Sequence, residues 1–310
     1  MLVRLRSLLL SCWLGCCAVS TAQAATVVIV SSERSPAYAQ AAQALVSELE
    51  RSGGSRYEML LLTATEFAGV ADLKPKLFVA LGAQAAQALA QTALTAPVLC
   101  ALLPRSSFER VLRSSGRKAS SQLSALYLDQ PLSRQLGLIQ LALPEARRIA
   151  VLWGPESQAQ AGALRVLAQA RGLSLLEASL KPDELVFPAL KKVLEDADVL
   201  LALADPQVFN SSSIQNILLT SFRAKVPLVA FSPAYVQAGA LLALHVTPEQ
   251  VGQQAAAMAT AVLQGKDLPA TPLYSQDFSV AVNAHVARSL GLMLDGEALR
   301  KRLLRAEAPL

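Results

Sequence analysis

Two hydrophobic patterns alternate along this chain. The first is a short run of consecutive apolar residues, found at 26–30 (TVVIV), 57–62 (YEMLLL), 76–81 (KLFVAL) and 97–102 (PVLCAL). It returns at 147–153 (RRIAVLW), 173–177 (LSLLE), 199–204 (VLLALA) and 227–231 (PLVAF). Runs of this length, apolar at most consecutive positions rather than at every second one, predict strands covered on both faces. The second pattern is longer and alanine-rich. It predicts helices over 35–51, 83–92, 157–171, 188–195, 213–224 and 251–263, the last with an Ala/Met/Val face suited to packing. Strand and helix taking turns predict an α/β fold of parallel sheets with right-handed crossovers.

The alternation occurs twice, once before residue 125 and again from 147 to 240. Two such halves predict two lobes. Residues 124–129 (SALYLD) are strand-like and end at Pro131, which fits a first crossing between lobes; 240–246 and 278–282 are further candidates. A hinge of several strands with a cleft above it is an architecture that closes around ligands.

The N-terminus changes where the protein is expected to work. Arg4 and Arg6 precede an apolar stretch over 8–19, and Ala22-Gln23-Ala24 follows. A basic start, an apolar middle and a small-x-small exit make residues 1–24 a secretory signal peptide, with cleavage near Ala24. The apolar stretch is shorter than the ~20 residues a membrane-spanning helix needs. Leu14-Gly15-Cys16-Cys17 offers another outcome, a lipid anchor on Cys16 or Cys17. Either way the destination is the periplasm. Three of the four cysteines, Cys12, Cys16 and Cys17, fall in this leader. Cys100 remains, in an apolar run where it reads as a small buried hydrophobe.

Composition and charge narrow the function. The chain has 310 residues, 53% of them hydrophobic, and 28 Lys and Arg against 23 Asp and Glu. The cations are scattered, and the local group Arg105, Arg110, Arg113, Arg117 and Lys118 reads as a solvated surface rather than a nucleic-acid stripe. No Gly-x-Ser-x-Gly elbow, phosphate loop or Gly-x-Gly-x-x-Gly fingerprint occurs. Two histidines, His245 and His285, with one cysteine outside the leader do not make a common zinc site. His245 is placed on a crossover strand in a structural role. No catalytic residue, metal or cofactor is assigned.

In open parallel sheets, ligands bind beyond the carboxyl ends of the strands. The first half places Ser31, Ser32, Gly82, Ala83 and Gln84 there; the second places Trp153, Gly154, Glu156, Asp205, Phe231 and Ser232. Tyr127 and Asp129 lie near the expected hinge. Gly82 either admits a ligand carboxylate to the backbone or makes an ordinary tight turn. Ser31 and Ser32 either cap a helix or reach the ligand. Trp153 either stacks on a flat ligand or packs in its lobe. Asp205 either receives a ligand ammonium or serves a turn.

Residues 77–89 (LFVALGAQAAQAL), 143–152 (LPEARRIAVL), Val226-Pro227-Leu228-Val229, Gly239-Ala240-Leu241 and Leu263-Gln264-Gly265-Lys266 follow in a serial order. In that order the chain resembles the periplasmic substrate-binding proteins of ABC importers, of the tryptophan- and tyrosine-binding type. It departs from them at Gly82-Ala83, where the family has a threonine, and at Leu103-Pro104, where it has Asp-Pro. Leu123-Ser124-Ala125-Leu126 stands where the family has Asn-x-Thr-Gly. The resemblance implies a two-lobed type I periplasmic-binding fold with a three-strand hinge and no catalysis. The expected N-terminal lobe is 25–127 with 246–276, and the C-terminal lobe 128–245 with 277–310. It also implies a monomer that binds a small organic molecule, an amino acid being one candidate, and hands it to an ABC permease in the inner membrane. The alternative is a sensor or protein-interaction module on the same fold, not coupled to transport.

Overall fold

The computed structural model describes residues 25–53, 57–68 and 74–307; the leader and its cysteines lie outside them. The apolar runs form two six-stranded sheets. The first takes β1 (Ala25–Ser31), β2 (Tyr57–Thr63), β3 (Leu77–Leu81), β4 (Val98–Leu103), β5 (Leu123–Tyr127) and β11 (Leu273–Tyr274). Their order is β11-β5-β4-β3-β1-β2, and every pairing is parallel. The second takes β6 (Arg148–Trp153), β7 (Ser174–Ser179), β8 (Val199–Leu201), β9 (Leu228–Ala230), β10 (Leu242–His245) and β12 (Ser279–Val282). Its order is β12-β10-β9-β8-β6-β7, parallel except where β12 runs against β10.

In the central strands consecutive apolar residues are required because each such strand feeds two cores, whereas the edge strands β2 and β7 are partly exposed. In β1, Val27 and Ile29 pack against α1 (Pro36–Gly53) and α10 (Pro248–Leu263). Val28 and Val30 pack on the other face with α3 (Ala83–Gln91) and α4 (Arg105–Ser115). In β6 the same division sends Ile149, Val151 and Trp153 towards α5 (Leu132–Ala142), α6 (Ala161–Ala170) and α12 (Gly296–Glu307). Ala150 and Leu152 face α7 (Val186–Leu194), α8 (Ile214–Arg223) and α9 (Pro233–Ala238). Cys100 is fully buried, and burial pushes its thiol up to about 12, which makes it a poor nucleophile.

The chain crosses between the sheets three times, each time next to a segment the sequence had marked as a crossing. Residues 123–127 of the first segment complete β5, and the crossing is Leu128-Asp129-Gln130 before Pro131. The second segment is mostly β10, with Val246-Thr247 leading back to α10. The third begins β12 at Ser279, and Ser275 to Phe278 cross. The apolar pattern of a strand does not stop where its sheet does, so the sequence could not separate strand from crossing. The short β11 and the helices α4, α5 and α9 were likewise not resolved from the pattern alone.

Candidate functional site

The strand ends of both sheets face one cavity of about 390 Å³ between the lobes. Leu102, Pro104 and the start of α1 form its first-lobe wall; Ala202 to Ala204 and Phe231 to Pro233 form the second. The crossings Leu128-Asp129-Gln130 and His245-Val246 close its base. The volume lies in the range of small-molecule sites.

The first wall is shaped by two backbone devices. Gly82 has φ +88°, and a Cβ there would lie 2.5 Å from the Tyr38 hydroxyl and 2.6 Å from Ser32 Oγ. Glycine therefore lets the Tyr38 ring sit over the β3–α3 turn, on the cavity side. Leu102 takes φ +57° where the β4–β5 register shifts between Cys100 and Leu103. A leucine held in the left-handed region is a local strain, and here it stands in the cavity wall.

The second wall is aromatic. Phe231 stands edge-to-face with Tyr235, ring centres 5.1 Å apart, and with Phe209 at 6.1 Å. Ser232 caps α9 by accepting from Ala234 N, which fixes the turn that carries Phe231.

The polar groups are few: Tyr38, Asp129, Gln130, Gln135, Gln160, Ser232 and His245. Among the described residues, no lysine or arginine lines the cavity. Asp129 Oδ2 accepts from Arg105 N, at the start of α4, at 2.5 Å. Burial raises its carboxyl above the ordinary value, against the lowering effect of that N–H and of the Arg105 charge. No cationic side chain forms an ion pair with Asp129 among the described residues. His245 is half-buried, its Nδ1 lacks a partner, and burial lowers its pKa below the ordinary value.

The structure divides the residues expected at the strand ends. Phe231 and Ser232 line the cavity. Ser31 Oγ reaches Leu62 O of the next strand. Ser32 Oγ donates to Leu81 O and accepts from Ala85 N, which ties β1, β3 and α3 together. Ala83 and Gln84 lie in a shallow groove between α3 and α4, outside the cavity. Tyr127 is buried between Phe108 and Tyr274 in the first-lobe core.

Three second-lobe expectations are corrected. Trp153 is fully buried, and its indole N–H donates to Glu177 at 2.7 Å, so its ring packs in the lobe and offers no face to a ligand. Asp205 is 2% exposed. Its Oδ2 accepts from Glu156 N, Ser157 N and Ser157 Oγ, and its Oδ1 from Gln207 N. A carboxylate so fully engaged by the chain has no room for a ligand ammonium; a Cβ on Gly154 would already fall 2.2 Å from it. Glu156 binds Arg110 of the first lobe instead of the cavity.

The residues that sequence reasoning passed over are Tyr38, Gln130, Gln135 and Gln160. Gln130 carried the one usable signal, because it adjoins Asp129 and precedes Pro131 at the marked crossing. Tyr38 carried none, since it belongs to the first turn of a helix whose pattern reads as packing. Among the described residues, no cluster of His, Cys, Asp and Glu fits a metal ion, and no helix is long and apolar enough to cross a membrane.

A tyrosine-binding protein of Clostridioides difficile is 25% identical over 207 residues, covering 65% of this chain. The chain spans 56% of the length of that relative. Among solved structures, a ligand-free, open substrate-binding protein with adhesive properties from Clostridium difficile aligns with TM-score 0.70 and 21% identity, over 87% of this chain and 96% of that one. An ABC domain in complex with L-Trp from Streptococcus pneumonia aligns with TM-score 0.60 and 16% identity, over 90% and 98%. At these identities the solved structures establish the two-lobed periplasmic-binding fold. A family model described as ABC transporter substrate binding protein matches residues 60–303. With most of its length matched, this chain belongs to the ABC transporter substrate-binding protein family.

Proposed function

We propose that this protein is the exported solute-binding component of an ABC importer, and that it holds an amino acid with an apolar side chain between its lobes. The observation that carries this reading is Asp129: a carboxylate at the base of a largely apolar cavity, anchored by a helix N-terminus and in no ion pair among the described residues. Such a group gains most from a ligand ammonium, because a charge-assisted hydrogen bond in a poorly hydrated site replaces an uncompensated buried charge. The Phe231 edge and the Leu102 side chain then receive the apolar end. The ligand-binding set proposed here is Tyr38, Asp129, Gln130, Phe231 and Ser232.

The three crossings act as the hinge, so that ligand bound to both walls favours the closed arrangement. An inner-membrane permease would read that arrangement. The protein works in the periplasm after removal of residues 1–24, or held there by Cys16 or Cys17, and acts as a monomer without nucleic acid. The TM-score 0.70 likeness to a binding protein with adhesive properties supports a second reading, a binding module not coupled to transport. Calorimetric titration of the purified mature protein with each proteinogenic amino acid tests the ligand. Heat with at least one apolar member, lost in Asp129→Asn, is expected; no heat with any of them refutes the reading.

A further inference from the structure

Gln130 is 4% exposed and lines the cavity beside Asp129. Its Oε1 accepts from Arg134 Nη1 at 2.8 Å. Arg134 is itself held from every side. It donates to both oxygens of Glu307 on α12 and to Ser275 O at the third crossing, and its guanidinium lies 4.3 Å from the centre of the Phe278 ring. The Gln130 main-chain carbonyl is also taken, by Gln135 Nε2 at 2.9 Å.

This arrangement fixes the direction of the amide. A guanidinium has donors and no acceptor, so only the oxygen of Gln130 can face it. The amino end must face the other way. That end, Nε2, is buried and has no partner in the protein. Buried amide donors are almost always paired, and one left unpartnered on a side chain that lines the cavity marks a place where a partner is missing.

We infer that Gln130 is a specificity-determining donor, set by Arg134 to select a ligand that presents a carbonyl or carboxylate oxygen. This rests on the cleft being the ligand site, and it adds the polarity of one contact. Asp129 accepts from the ligand and Gln130, its neighbour in the chain, donates to it. A ligand with the ammonium but no oxygen acceptor satisfies only one of the two.

Matched pairs test this. The full-length mature protein is screened by thermal shift and calorimetry against each apolar and aromatic amino acid and the amine left by its decarboxylation. Wild type is expected to prefer the acid at least tenfold. Gln130→Glu keeps an acceptor for Arg134, so the empty protein should melt no lower than wild type. It presents a second acceptor to the cavity, and the acid-over-amine ratio should fall at least tenfold. Arg134→Met frees the amide to turn, and the ratio should fall by a smaller factor. An unchanged ratio in Gln130→Glu overturns the assignment while leaving the cleft intact. Absence of any shift with wild type overturns the cleft reading and this inference with it.

Discussion

The Arg110 guanidinium on α4 of the first lobe binds the Glu156 carboxylate after β6 of the second, so that one ion pair spans the gap between the lobes. The Arg110 side chain is 52% exposed, and pairs of this kind contribute about 0–1 kcal/mol. Hinge opening separates α4 from the β6 loop and breaks the pair. Arg110→Ala should therefore enlarge the open population and weaken ligand binding by up to about fivefold. Small-angle scattering of the empty protein checks the first effect as a larger radius of gyration. Titrations in low and high salt check the second, since the gap between variant and wild type should close as salt screens the pair.

The Asp205 carboxylate gathers three backbone N–H groups and the Ser157 hydroxyl from two loops. Removing it strands those donors where Ser157 is fully buried. Asp205→Ala is expected to destabilise the protein by about 3 kcal/mol, at the upper end for buried donors left unpaired. A shifted urea midpoint with an unchanged slope measures it. Ligand affinity at low temperature should stay within a few-fold of wild type. A loss of binding far beyond the loss of stability would return Asp205 to the ligand site.

Asp205 also shows what the sequence could and could not disclose. That it ends a strand was legible, because 199–204 is a continuous apolar run and Asp205-Pro206 breaks it. Where its side chain turns was not, because the partners at Glu156 and Ser157 come from another strand end and are set by tertiary packing. Trp153 failed in the same way: its position at a strand end is correct, but alternate residues of a two-sided strand face opposite cores, and its face is the α6 side. The fold was legible because burial on both faces writes itself into the central strands, β3, β4 and β5 in one sheet and β6, β8 and β9 in the other. The cavity was not, because its polar members stand on crossings and first helical turns, where no periodicity marks them.

Gly82 ties the fold to the first wall. Its φ of +88° and the 2.5 Å approach of the Tyr38 hydroxyl leave no place for a side chain. Gly82→Ala should cost about 1–3 kcal/mol from backbone strain and push Tyr38 away from the turn. Tyr38→Ala in the same background removes the clash with that ring but keeps the strain and the close approach to Ser32 Oγ, so it should recover only part of the melting temperature. Tyrosine fluorescence and thermal melts of the two single variants and the double variant separate the terms, as a double-mutant cycle does. Full additivity would mean that Tyr38 does not rest on Gly82 in solution.

Asp129 gives the cleft a pH dependence whose sign follows from its surroundings. Burial raises its carboxyl above the ordinary aspartate value, so the empty folded protein holds a proton there over a window in which the unfolded chain has released it. Within that window, lowering the pH favours the empty fold. A ligand ammonium needs the carboxylate, so affinity should fall as the pH drops through the raised value, beginning above the ordinary aspartate range of about 4. His245, also in the wall, is shifted the other way by burial and stays neutral below the ordinary histidine value of about 6.5. Its protonation would repel the same ammonium and add a second, separable loss. Asp129→Asn should reduce affinity by about 10- to 100-fold at neutral pH, the range for a hydrogen bond to a charged group, and remove the first component of the pH profile. His245→Asn should leave that component in place. Calorimetric titration with a bound apolar amino acid, from about pH 4 to about pH 8, resolves the two. A profile that Asp129→Asn leaves unaltered would show that the ligand cation, if it has one, is held elsewhere.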